Sequence, residues 1–200
     1  MAHCMFRVFT QQQPDERRFE KLRSEMIPQL RNIPGFQRFA ALRTNDGRYG
    51  GFSVYDTKEA ADQAAKMLND WREKAGNRDP VAIEARGETG MSIVVNQRFE
   101  KGYGVARIYR TDASFDQVNA AIEQEAGETI RNLPGLLRYT TVKFEDGRIA
   151  TLSACETQQA ARNLTDKARE LRSKAGSQLK KTLPNDPEVI EGEIMLAIMK

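Results

Sequence analysis

The chain repeats itself. Arg31-Asn-Ile-Pro-Gly35 returns as Arg131-Asn-Leu-Pro-Gly135, a shift of 100 residues. At the same shift Asp46-Gly47-Arg48 meets Asp146-Gly147-Arg148, and Lys74-Ala75-Gly76 meets Lys174-Ala175-Gly176. Thr57, Ala60 and Ala61 fall on Thr157, Ala160 and Ala161. Residues 5–78 and 105–178, aligned without gaps, share 18 identities in 74 positions. Composition alone gives about four or five. A period this long must be read before the fold, because it makes each copy the folding unit. The second copy carries an insertion near Leu179 to Asn185, after which Asp186-Pro187 takes up the register of Asp79-Pro80. The organisation expected is a first repeat over 1–95, a linker over 96–104 and a second repeat over 105–200.

Each unit reads as β-α-β-β-α-β. Met5 to Thr10 and Val105 to Arg110 are short, apolar and rich in strand formers. Pro14 suits a first helical turn, and Ser114 with Gln117 makes a capping box. Phe19, Leu22, Met26, Leu30 and Ile33 recur at helical spacing, as do Val118, Ile122 and Ile130. Pro28 is expected to kink the first of these helices, and Gly127 marks the weak point of the second. Pro-Gly then opens a strand. Phe36 to Thr44 and Arg48 to Tyr55 flank Asn45-Asp46-Gly47, a hairpin signal in which both turn positions favour positive φ. Leu136 to Phe144 and Arg148 to Cys155 repeat it. Thr57 and Thr157 cap Ala-rich helices, stopped at Gly76 and Gly176. Last strands follow near Val81 to Val95, with Gly87 or Gly90 as points of interruption, and near Val189 to Met199.

This order gives an antiparallel four-stranded sheet with both helices on one face. Phe36, Ala40 and Leu42 are expected on one side of the second strand, and Phe39 and Ala41 on the other. Apolar groups on both sides require both faces to be covered. The economical solution packs the two sheets of the chain face to face.

Composition excludes several classes. With 40% hydrophobic and 30% charged residues the chain reads as globular. Its longest apolar run, Ile194 to Met199, falls far short of the ~20 residues of a membrane span and reads as a last core strand. The start shows no secretory signal. Thirty-one basic residues against 28 acidic ones leave +3, which is not the clustered charge of a nucleic-acid binder. Cys4, Cys155 and the lone His3, placed at a frayed N-terminus, are too few for a structural zinc site. No Ser-His or Cys-His mechanism is expected. Two unpaired thiols suit a cytoplasmic location, with each thiol acting as a small hydrophobe.

The pattern of helix, Ile/Leu-Pro-Gly, strand, Asp-Gly-Arg hairpin and a strand ending in Tyr55-Asp56-Thr57 or Cys155-Glu156-Thr157 before an Ala-rich helix resembles the dimeric α+β barrel superfamily. More narrowly, it resembles the antibiotic biosynthesis monooxygenase (ABM) domains. The resemblance covers nearly the whole chain, once per half. It implies an α+β protein of two ferredoxin-like repeats forming an intramolecular pseudo-dimeric barrel, with further homodimerisation left open. It implies cofactor-independent oxygenation of a small aromatic or quinone-like compound. The alternative is a non-catalytic ligand-binding or structural protein on the same fold. The haem-degrading branch uses a first-strand Asn with a Trp and a His near the second helix. Here Arg7 and Arg107 stand at the first-strand position and no His is near Trp71, so no cofactor or metal is expected.

Cofactor-free oxygenation needs donors that stabilise a deprotonated substrate oxygen in a dry pocket. The candidates are Arg7 and Arg107 on first strands, Arg38 and Arg138 on second strands, Tyr49 and Tyr55 on one third strand, and Trp71. The arginines read either as a ligand anchor in each half or as ion pairs with carboxylates such as Glu25 or Glu125. Trp71 reads as a pocket wall or as core, and the tyrosines as donors or as ordinary strand aromatics. Ser53 and Ser153 recur without a base. Arg17, Arg18, Lys21 and Arg23, interspersed with Glu16, Glu20 and Glu25, read as a solvated helix face.

Overall fold

A computed structural model describes residues 1–10, 16–74 and 79–200; Pro14, Ala75 and Gly76 lie outside these. The first half runs β1 (His3–Phe9), α1 (Glu16–Lys21), a π-helical turn (Leu22–Met26), α2 (Ile27–Arg31), β2 (Phe36–Thr44), β3 (Tyr49–Tyr55), α3 (Lys58–Lys74) and β4 (Val81–Val94). The second runs β5 (Gly102–Tyr109), α4 (Phe115–Arg131), β6 (Leu136–Phe144), β7 (Ile149–Cys155), α5 (Gln158–Ser173), α6 (Gln178–Thr182) and β8 (Glu188–Met199). No helix among the described residues is long and apolar enough to cross a membrane.

The strands close into one antiparallel barrel in the order β1-β3-β2-β8-β5-β7-β6-β4. The expected pair of stacked sheets is therefore a single continuous sheet. β4 first pairs with β1 and then with β6 of the other half. β8 likewise passes from β5 to β2. The inner faces meet in a core that includes Phe6, Val8, Ala106, Ile108, Val142 and Phe144. The outer faces are covered by helices, with Met26, Leu30 and Ala64 over the first half and Val118, Ile122 and Leu164 over the second. Both thiols are free and buried, as small hydrophobes are.

The strand exchange happens at glycine. Gly87 lies between Cys4 of β1 and Phe144 of β6. Gly192 lies between Gly104 of β5 and Thr44 of β2. A Cβ would stand 1.9 Å from the Lys143 carbonyl oxygen at Gly87, and 2.0 Å from that of Arg43 at Gly192. These positions correspond at a shift of 105, so Asp186-Pro187 does not keep the register of Asp79-Pro80 into the strand. A register shift between Val8 and Phe9 in the β1–β4 ladder sets the first half apart. Neither Gly87 nor Gly90 interrupts β4, although the register against β6 shifts between Thr89 and Ser92.

Several local expectations change. A bulge between Phe36 and Arg38 turns Phe36 to the helix side, with Phe39 and Ala41. The hairpin is not a two-residue Asp-Gly turn. Gly47 N–H donates to the Thr44 carbonyl at 2.9 Å, and Thr44 N–H donates to the Arg48 carbonyl at 2.8 Å. Only the glycine then needs the left-handed region, at φ +85° and +86° for Gly47 and Gly147. Ahead of Pro28, the helix widens into the π turn instead of only kinking. α4 runs unbroken through Gly127. His3 is not frayed; it begins β1, between Tyr55 and Glu88.

The caps form as expected. Thr57 and Thr157 accept from the N–H of Ala60 and Ala160 at 3.2 and 3.1 Å. Ser114 accepts from Gln117 N–H at 3.2 Å, and the Gln117 side chain accepts from Ser114 N–H at 2.8 Å. Ser114→Ala removes half of that box and is expected to cost about 1 kcal/mol. Thermal denaturation should show a fall in Tm of about 2–4 °C.

Candidate functional site

The outer face of the first half is incompletely filled. Between β1–β3 and the helices lies a cavity of about 80 Å³ whose described lining includes Met5, Arg7, Phe19, Phe39, Ser53 and Trp71. The strand period places them there: Met5 and Arg7 alternate with inward-facing Phe6 and Val8. Space exists because β3 supplies Gly51, paired with Arg7 and Ala41. A Cβ at Gly51 would meet nothing closer than 3.4 Å.

Arg7, Arg18 and Arg72 line the cavity, and of the three Arg7 is the buried one, only 4% exposed. Its Nε lies 3.1 Å from Glu84 Oε2, and its Nη1 donates to Asn69 Oδ1 at 2.9 Å. The expected partner Glu25 instead accepts from Trp71 Nε1 at 2.9 Å. Burial lowers the Arg7 pKa and Glu84 opposes that. Burial would raise the Glu84 pKa, but Arg7 and Arg86 outweigh it and hold the carboxyl below its usual range. Beside Arg7, the buried Ser53 and Tyr55 hydroxyls lie near each other without a hydrogen bond of normal geometry. A buried hydroxyl without such a bond costs free energy that a ligand oxygen would recover.

The cavity end is built by aromatics of β1 and β3 capped by arginines of α1 and α3. The Phe9 and Tyr49 rings stack at 4.6 Å. Arg18 lies 4.7 Å over Tyr49, and Arg72 lies 4.3 Å over Phe9. Asp79 binds this group together. It accepts from Tyr49 Oη at 2.7 Å, pairs with Arg18 at 2.9 Å, and its carbonyl accepts from Arg72 at 2.5 Å. Arg18 is thus not part of a solvated face. Arg72 escaped the sequence reading although Arg172 matches it at the 100-residue shift. Arg172 lies 6.0 Å over Tyr109 and donates to the carbonyls of Leu183 and Asn185, both at 2.9 Å.

Of the candidates, Arg7, Tyr49 and Trp71 come together here. Tyr55 does not line the cavity. It is fully buried against Phe36, and burial pushes its phenol up to about 12, with Ser53 and Arg7 acting the other way. Arg107 occupies the equivalent place in the second half, where the cavity is about 40 Å³. Thr151 stands where the first half has Gly51. The inserted segment brings Leu179 and Leu183 into the same space. Glu125, the other expected arginine partner, seats that insert: it accepts from Ser177 Oγ at 2.7 Å and Gln178 N–H at 2.6 Å. Arg107 donates to the hydroxyls of Ser153 and Thr165. Val189 replaces the carboxylate opposite it.

Arg38 and Arg138 were expected to serve one half each. Instead both line one cavity of about 90 Å³ inside the barrel, on the opposite face of the sheet. Arg38 donates to Thr140 Oγ1 at 3.2 Å, and Arg138 to Met199 Sδ at 3.9 Å. Among the described residues no group of three or more His, Cys, Asp or Glu side chains is placed to hold a metal ion.

No family model matches the chain, and no curated protein matches it in sequence. Solved structures do match in fold. An anthrone oxidase-like protein superimposes with a TM-score of 0.64 at 12% identity, over 99% of this chain and 93% of the other. A candidate monooxygenase from Fusobacterium nucleatum subsp. nucleatum gives 0.68 at 12% identity, over 100% and 94%. A mutant chlorite dismutase from Candidatus Nitrospira defluvii gives 0.62 at 11% identity, over 96% and 91%. With eight strands closed around one core and helices outside, the chain has an α+β barrel fold like that of these structures, built as a pseudo-dimer within one polypeptide.

Proposed function

We propose that the first-half cavity binds a small aromatic, quinol- or anthrone-like compound, and that the protein oxygenates it without metal or haem. The observation that carries this reading is the asymmetry between the halves. The first keeps an aromatic-walled space above Arg7 and the buried Ser53 hydroxyl. The second fills the matching space with Thr151, Leu179 and Leu183. An apolar pocket with a few convergent polar groups suits a planar ligand carrying one oxygen to be fixed. Arg7 and Ser53 would stabilise that oxygen as an enolate or phenolate, a form electron-rich enough to react with O₂. For an anthrone-type methylene, O₂ gives one oxygen to the new carbonyl and the other leaves as water. Under the same proposal, 1–95 and 105–200 are two copies of one unit joined by 96–104. The second copy then keeps the barrel closed while the first keeps the site.

A second reading rests on the lining itself. No described residue of this lining is a carboxylate or a histidine, which favours binding without turnover as that second reading.

Gly51→Val separates the outcomes. Its Cβ makes ordinary contacts, so the variant should fold, while the side chain enters the cavity. The wild type should gain several degrees of Tm with a quinol or anthrone and consume O₂ with it. Gly51→Val should lose both. Stabilisation without O₂ uptake selects the binding reading. No stabilisation, or the same stabilisation in Gly51→Val, removes the cavity as the site.

A further inference from the structure

We infer that the barrel interior is a second binding site, for a small amphiphilic carboxylate held between Arg38 and Arg138. The two side chains come from β2 and β6, on the strand faces that carry Ala40 and Leu42 in one case and Thr140 and Val142 in the other. Both are half-buried and face the same cavity. Among the described residues neither forms an ion pair with a carboxylate. Arg38 reaches one hydroxyl and lies 5.7 Å over the Phe52 ring, and Arg138 reaches one thioether and leaves Nε buried without a hydrogen-bond partner. The buried first-strand arginines also leave Nε without a hydrogen bond, but their other nitrogens have polar partners: Arg7 has Glu84 and Asn69, and Arg107 has Ser153 and Thr165. Two like charges sharing one cavity without a counter-ion are a standing cost. Burial, with Arg138 next and the Cys4 thiol opposing, brings the Arg38 pKa down to about 9. Burial lowers Arg138 as well. An anion between them removes the repulsion and satisfies the free N–H groups through the guanidinium fork.

The walls choose the kind of anion. Besides the arginines, Thr140 and Ser153, the lining is aromatic or aliphatic, with Phe6, Phe52, Phe99, Leu152 and Ile190. A phosphate would leave oxygens facing these groups without donors. A carboxylate on an aromatic or short aliphatic body places its charge at the arginines and its apolar part against Phe6 and Phe52. Phe99 belongs to the connection between β4 and β5, so this wall comes from neither strand. The site is distinct from the first-half cavity, because Phe39 and Ala41 of the same strand point the other way.

Benzoate is the probe, titrated into the full chain by calorimetry, with benzamide and inorganic phosphate as the other arms. Benzoate should bind, and benzamide and phosphate should bind at least tenfold more weakly. Arg38→Gln and Arg138→Gln should each weaken benzoate at least tenfold while raising the ligand-free Tm, since each removes one of two repelling charges. That opposite movement of affinity and stability separates loss of a site from loss of fold. Gly51→Val should leave benzoate affinity unchanged. Equal affinity for benzamide, tighter binding of phosphate, or benzoate binding that survives both arginine variants but is lost in Gly51→Val would each overturn the assignment.

Discussion

Gly192→Ala is expected to destabilise the protein by about 3–5 kcal/mol, and Gly87→Ala by a similar amount, above the usual range for single substitutions. The cause is backbone rather than packing. At Gly192 the new Cβ would stand 2.0 Å from the Arg43 carbonyl oxygen and 2.5 Å from Thr44 Cα. Neither atom is the free end of a side chain. To relieve the contact, β8 must move away from β2, and each ladder hydrogen bond lost costs about 1 kcal/mol. The strands concerned join the two halves, so the damage falls on barrel closure. Gly104 supplies the control. It pairs with Gly192 across β5 and β8, yet its Cβ would make only ordinary contacts, the nearest with Ile194 Cγ1 at 3.4 Å. Gly104→Ala should therefore stay within about 1 kcal/mol of the wild type. Urea midpoints for the three variants test the argument. If Gly192→Ala and Gly104→Ala unfold at the same urea concentration, the strand crossing tolerates a side chain and the explanation fails.

What could be read in the sequence is what local chemistry determines. Ser114, Thr57 and Thr157 announce their caps because the donors they satisfy lie three residues away. The Asp46-Gly47 and Asp146-Gly147 hairpins follow from one residue that must adopt positive φ. The 100-residue period gave the element order twice, and apolar residues on both sheet faces required both to be covered; the barrel came from the family resemblance. Pairings between distant segments were hidden. That β4 ends beside β6 depends on Gly87 admitting a second neighbour, and a glycine in a strand does not say which strand approaches it. One bulge before Arg38 moved Phe36 to the other face. Arg7 stood out as a strand arginine, but its partner was sought on a helix and is Glu84, opposite it on β4. Arg38 and Arg138 were read one per half because the repeat suggests two sites. The closed barrel turns two equivalent positions toward one interior.

The Arg7–Glu84 pair carries the other large effect. Glu84→Gln should cost about 2–3 kcal/mol, whereas Arg7→Met should cost less than about 1 kcal/mol. The asymmetry comes from burial. The Arg7 side chain is 4% exposed, against 35% for Glu84. Removing the carboxylate strands a buried guanidinium whose remaining hydrogen-bond partner is Asn69. Breaking a buried pair from one side typically costs about 3–5 kcal/mol, reduced here because water screens Glu84. Removing the guanidinium instead leaves a carboxylate that can turn to solvent and to Arg86, 2.9 Å away, while Met fills the volume. Glu84→Gln should thus lower Tm by about 5–10 °C, and adding Arg7→Met should restore most of the loss. The sign of the pH dependence follows. The Glu84 pKa lies below its ordinary 4.5 in the folded state, so its contribution is complete above that value and disappears as pH falls through the folded pKa. The acid limb of the stability curve should therefore be steeper in the wild type than in the double variant. Equal losses for the two single variants, with no rescue in the double, would mean that the pair is held for its geometry at the cavity and not by the cost of an unpaired charge.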